Sequence, residues 1–129
     1  TKDIYVLVEK VEKNGKKGPL LVQINNALDT IIETKFLNGD SGLIGVDGDT
    51  KIDGSGIDFD RTSQNRFYIV SDEGQRLFLY DWKKNTATPE IDLNYKHAEG
   101  VAYDPDENKF YIVTDGGNKK NSKLYTYKK

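Results

Sequence analysis

Residues 97–117 read HAEGVAYDPDENKFYIVTDGG, and residues 55–74 read SGIDFDRTSQNRFYIVSDEG. The two stretches are one pattern written twice. GIDFD at 56–60 returns as GVAYD at 100–104, and RFYIVSDEG at 66–74 returns as KFYIVTDGG at 109–117. The offset is 44 residues for the first piece (56 to 100) and 43 for the second (66 to 109). A supersecondary unit recurring at such a period marks a repeat architecture, and the rest of the chain is read against it.

In each copy a short Gly-led segment, an acidic turn and a run of β-branched and aromatic residues follow one another, as in a two-strand hairpin. Similar segments continue in both directions. Ten strands are predicted, at 4–11, 19–25, 30–37, 56–60, 66–72, 76–82, 89–95, 100–104, 109–115 and 123–129. Asn14-Gly15 between the first two is a strong type I′ hairpin signal, because both central positions of that turn need φ > 0. No helical period is sustained anywhere. The chain is predicted to be all-β with almost no helix.

Residues 55–96 hold four of these strands: a Gly-led one, a bulky one, an aromatic one and a more polar one. Residues 97–129 repeat the first three. Residues 3–37 read as the last three, with IYVLVE matched to RFYIVSD, LLVQIN to LFLYDW and TIIETKF to PEIDLNY. Four-stranded antiparallel units of roughly 40–50 residues are the blades of a β-propeller. The bulky strand is apolar at both parities (Phe67, Tyr68, Ile69, Val70), which suits a sheet packed on both faces. The chain therefore reads as a single β-propeller segment of about two and a half blades. Its parts are a partial blade (3–37), a Gly/Asp-rich loop (38–54) with a small strand at 43–46, a full blade (55–96) and a partial blade (97–129). Closed propellers typically have four to eight blades, so the remainder is expected from a longer parent chain or from other chains. A start at Thr1 and the absence of Met fit a chain processed or excised from something longer.

Composition narrows the partners. A net charge of −2 offers no field for nucleic acid, and Lys pairs such as Lys16-Lys17, Lys83-Lys84, Lys119-Lys120 and Lys128-Lys129 sit among acids in or beside turns. Lysines so placed guard edge strands against mispairing. No apolar run approaches the roughly 18 residues of a membrane span. Without Cys there is neither a disulfide nor a thiol nucleophile, and the single His97 cannot build a His-based zinc site.

The segments SGIDFD, NRFYIVSDEG, LFLYD and EGVAYDPDENKFYIVTD resemble the bacterial propeller family known as SdiA-regulated. More distantly they are similar to phytase-like, esterase-like and gluconolactonase-type propellers. Those blades share Ser/Glu-Gly-hydrophobic-x-aromatic-Asp followed by aromatic-hydrophobic-hydrophobic-Ser/Thr-Asp. The resemblance covers residues 53–128 well and 3–37 weakly, and it speaks to fold more than to activity. In calcium-dependent members, acids near the channel mouth hold the metal, and Glu99 is the position that carries over; its counterpart one repeat earlier is Ser55.

Blade topology brings one set of residues to a common rim. Asp53, Ser55, His97 and Glu99 lie ahead of Gly-led strands, and Glu9, Asp72, Glu73 and Asp115 lie at the ends of bulky ones. Glu99, Asp72 and Asp115 form the candidate metal set, since oxygen-rich clusters suit a hard cation such as Ca²⁺. The competing account is that an Asp after a strand caps its turn. Asp47, Asp49 and Asp53 make a second acidic group in a Gly-rich loop, which lacks the ligand spacing of an EF-hand. Gly39-Asp40-Ser41-Gly42 has no upstream His and is set aside as a protease-type nucleophile. Trp82 is expected to pack between blades. The expected role is a binding or scaffold element of an exported bacterial protein (periplasmic, cell-surface or secreted), contacting further blades or other protein chains. The alternative is part of a calcium-dependent phytase-like or lactonase-like hydrolase.

Overall fold

The computed structural model describes residues 3–116 and 121–129; the Lys119-Lys120 pair lies outside them. The strands are β1 (Ile4–Lys13), β2 (Lys16–Ile24), β3 (Ile31–Phe36), β4 (Gly56–Phe59), β5 (Arg66–Ser71), β6 (Arg76–Asp81), β7 (Thr86–Asp92), β8 (Ala98–Asp104), β9 (Lys109–Thr114) and β10 (Leu124–Lys128). All ten predicted strands are present. They form three sheets, ordered β1-β2-β3, β4-β5-β6-β7 and β8-β9-β10, and every pairing is antiparallel. Among the described residues the one helical element is a 3-10 turn at Gly39–Ser41, and no helix is long and apolar enough to cross a membrane.

Turn chemistry explains where the strands stop. Asn14 and Gly15 join β1 to β2 at φ 53° and 78°, both positive as a type I′ turn demands. Two later hairpins use another device. Asp81 accepts the Lys84 N–H at 3.0 Å, and Asp104 accepts the Asp106 N–H at 2.9 Å. Asn85 and Asn108 then close those turns at φ 51° and 56°, a region that Asn tolerates better than most residues. The hydroxyls of Tyr80 and Tyr103 donate to their side-chain oxygens at 2.7 and 3.0 Å.

The second sheet is buried on both faces, as its apolar parity predicts. Phe67, Ile69 and Phe78 pack toward the first sheet with Leu21, Tyr5 and Leu7. Tyr68, Val70 and Leu77 pack toward the third with Phe110, Ile112 and Tyr103. Trp82 lies between the first two sheets, its ring centroid 5.4 Å from that of Tyr5.

Three details depart from the sequence reading. The first is the phase of β1. Phe110 and Ile112 are the repeat equivalents of Phe67 and Ile69, so each Phe/Ile face meets the preceding sheet. In the first sheet, Tyr5 and Leu7 instead face the following sheet. For the stacking rule to hold, Tyr5 must correspond to Tyr68 and Leu7 to Val70, one residue from the match of IYVLVE to RFYIVSD. A one-residue slip exchanges the faces of a strand.

The second detail is the loop at 38–54, which forms no strand at 43–46. Asn38 Oδ1 caps the 3-10 turn by accepting the Asp40 N–H at 2.9 Å, and Gly42 turns the chain at φ 93°, so Leu43 drops into the core rather than extending. The third is β7, which ends at Asp92 instead of 95. Tyr95 leaves the sheet and stacks on Tyr125, with centroids 3.9 Å apart and planes 9° from parallel. Pro89 is tolerated because β7 is an edge strand.

Candidate functional site

The ends of β5 and β9, the entries to β4 and β8 and Glu9 meet at one rim, tied together mainly by backbone. Glu9 lies within β1, where its pairing with β2 shifts register between Val8 and Val11, rather than at its end. Gly54 N–H donates to the Glu9 carbonyl at 2.9 Å, and Asp115 N–H donates to the His97 carbonyl at 2.8 Å. Ser55 Oγ lies 2.6 Å from the Ala98 carbonyl and accepts the Asp72 N–H at 3.2 Å. Gly56 shows why the Gly-led strands need glycine. A Cβ there would stand 2.8 Å from Gly100 Cα and 2.9 Å from the Glu99 carbonyl, so β4 and β8 touch through backbone.

The structure thus brings the predicted rim residues together. With the phase of β1 corrected, Glu9, Asp72 and Asp115 occupy the same position, one per sheet. Asp72, a predicted metal ligand, accepts the His97 N–H at 2.5 Å. Glu73 pairs with Lys10 at 2.7 Å. Among the described residues no group of three or more His, Cys, Asp or Glu side chains is placed to hold a metal ion. The set Glu99, Asp72 and Asp115 shares a rim without forming a coordinating group.

Glu99 carries the electrostatic signature of the rim. Its carboxyl is held above the ordinary range, first by desolvation and then by the negative charges of Asp72, Glu9, Asp53 and Asp115. It lines an open cavity of about 410 Å³ with Tyr5, Val6, Leu7, Glu9 and residues 54–57.

The second acidic group disperses. Asp53 is buried, 4% exposed, and its Oδ1 accepts Ser71 Oγ–H at 2.7 Å and Glu73 N–H at 3.0 Å. Asp47 and Asp49 are exposed and cap local turns, accepting the N–H of Asp49 and Lys51 at 3.0 and 2.9 Å. Ser41 is buried beside its cap. A role not foreseen belongs to Asp58, whose Oδ2 accepts the Tyr103 N–H at 2.7 Å and so ties β4 to β8. The one signal was a polar residue alternating with apolar Ile57 and Phe59 within GIDFD.

Fold and rim define an all-β chain of stacked antiparallel sheets with acids gathered where the Gly-led strands begin. No protein-family model, curated protein or solved structure matches this chain.

Proposed function

We propose that the chain is a run of β-propeller blades serving as a binding or scaffold element of an exported bacterial protein, completed by further blades of a parent or by other protein chains. The carrying observation is a contrast between repeat equivalents. Val70 is 0% exposed beneath the third sheet, whereas Val113, its counterpart on β9, is 46% exposed. The opposite end matches, since Ile4, Val6 and Val8 on the outer face of β1 are 38, 42 and 37% exposed. Apolar faces of this kind mark interfaces on soluble proteins. Strand count agrees: among the described residues only the middle sheet has four strands. The assignment to an exported bacterial protein follows the resemblance of residues 53–128.

Sedimentation of the native particle, combined with amide exchange, tests this. The expected result is association with other protein or, when the chain is alone, fast exchange of the β1 amides that point away from β2 and the β10 amides that point away from β9. A monodisperse monomer in which those outward amides are protected on both strands overturns it.

A second reading, part of a calcium-dependent hydrolase of phytase-like or lactonase-like type, is favoured by one observation, the crowding of acids around Glu99. Against it, Asp53 and Asp72 already accept backbone N–H groups.

A further inference from the structure

Among the described residues, the first sheet lacks the strand that β4 supplies to β5 and β8 supplies to β9. Along β1 lies the cavity of about 410 Å³ bordered by Tyr5, Val6, Leu7 and Glu9. Neighbouring residues from both faces of β1 border it, as they do where a strand edge rather than a sheet face is open. We propose that this edge is a strand-addition site for an extended peptide carrying a basic residue immediately ahead of a glycine-led apolar strand. The proposal rests on reading the first sheet as a blade without its Gly-led strand.

Register and selectivity follow from the two complete examples in the chain. Gly56 pairs with Val70 and Phe59 with Phe67. Because Leu7 stands where Val70 stands, the added glycine faces Leu7, and the three residues after it run down to Ile4. Glycine is required there for the reason it is required at Gly56, close approach to the next Gly-led strand. Antiparallel pairing places the N-terminal end of the peptide at the rim. The residue ahead of Gly56 is Ser55, whose hydroxyl reaches the Ala98 carbonyl; the equivalent acceptor for an added strand is the Gly54 carbonyl. Glu9 and Glu99 border that end of the cavity, so Lys or Arg there meets two carboxylates and an acidic residue is repelled. Ladder hydrogen bonds supply affinity and the leading residue supplies selectivity, as in other cases of β-augmentation.

The probe is a synthetic acetylated peptide, Lys-Gly-Ile-Asp-Phe-Asp, titrated into the whole chain and followed by amide NMR and exchange. The expected result is new protection confined to residues 4–8. N-methylation of alternate peptide bonds should weaken binding at least about tenfold, since each ladder bond is worth roughly one factor of ten or less. The double variant Glu9→Gln/Glu99→Gln should weaken the lysine peptide several-fold and leave a peptide with Ser in place of the lysine unaffected. Equal binding of the N-methylated peptide, or no protection at millimolar peptide over freely exchanging β1 amides, overturns the site alone. Protection, in the free monomer, of the β1 amides that point away from β2 would overturn the blade reading beneath it as well.

Discussion

Asp53, Asp47 and Asp49 sit within seven residues of one another, yet their carboxylates do different work. Asp53→Ala strands a buried hydroxyl and a backbone N–H, and should cost about 2 kcal/mol. Asp47→Ala and Asp49→Ala remove exposed turn caps and should each cost less than about 1 kcal/mol. Urea unfolding of the three variants separates them. Glu99 carries a pH signature. Folding raises its pKa, so the folded chain binds this proton more tightly than the unfolded chain does. Its ionisation therefore withdraws stability as pH climbs from the ordinary glutamate range through the raised value. Glu99→Gln should match the parent below that window and exceed it above, by a few tenths of a kcal/mol after solvent screening, or about 1–2 °C in Tm. An equal difference at all pH values would show that the like-charge crowding has no consequence. The same variant decides the cation question. The turn-cap geometry predicts no rise in Tm on adding millimolar calcium, whereas a rise abolished in Glu99→Gln would establish a metal site at the rim.

Among the strands, β4 and β8 leave no slack between them at Gly56. The nearest neighbours of a Cβ on Gly56 are backbone atoms of Glu99 and Gly100, which cannot swing aside as a side chain can. Gly56→Ala must displace β8 relative to β4, and with it the hydrogen bonds from Ser55 to Ala98 and from Tyr103 to Asp58. The expected loss is about 1–3 kcal/mol, read from chemical denaturation. The change in amide shifts should centre on residues 98–103 rather than on the outer strand β7. Wild-type stability in this variant would mean that the two Gly-led strands stand further apart than the structure places them.

For the molecule as a whole, the informative comparison is between residues that are equivalent by repeat and unequal by position. Val70→Ala removes buried methyls from the interface of the second and third sheets and should cost about 2 kcal/mol. Val113→Ala removes the same methyls from an open face and should change the stability of the isolated chain by less than about 0.5 kcal/mol. In the assembled protein the two costs should converge, because a covering sheet would bury Val113 as the third sheet buries Val70. Thermal unfolding of each variant, alone and in its native assembly, measures both. Equal costs in the isolated chain would mean that the face of β9 is already covered.

Much of this was legible in the residues. The duplicated GIDFD and RFYIVSDEG patterns located two sheets and their pairing order, because Gly, acidic turn and β-branched run are local requirements of a hairpin. Asn14-Gly15 determined the first turn for the same local reason. Apolar residues at both parities of 67–70 showed that the second sheet is covered on both sides. The phase of β1 was not legible. Tyr5 and Leu7 on one face, and Ile4, Val6 and Val8 on the other, are all apolar, so alternation could not say which set turns inward. Nor could the sequence separate Asp72, Asp53 and Asp49, each an acid beside a turn. Only packing decided that Asp72 meets the His97 N–H from the next sheet, Asp53 is sealed over Ser71, and Asp49 stays in solvent. The partners of Asp72 and Asp53 arrive from distant segments of the chain, whereas Asp49 caps only the Lys51 N–H two residues on, and no local pattern encodes a distance in space.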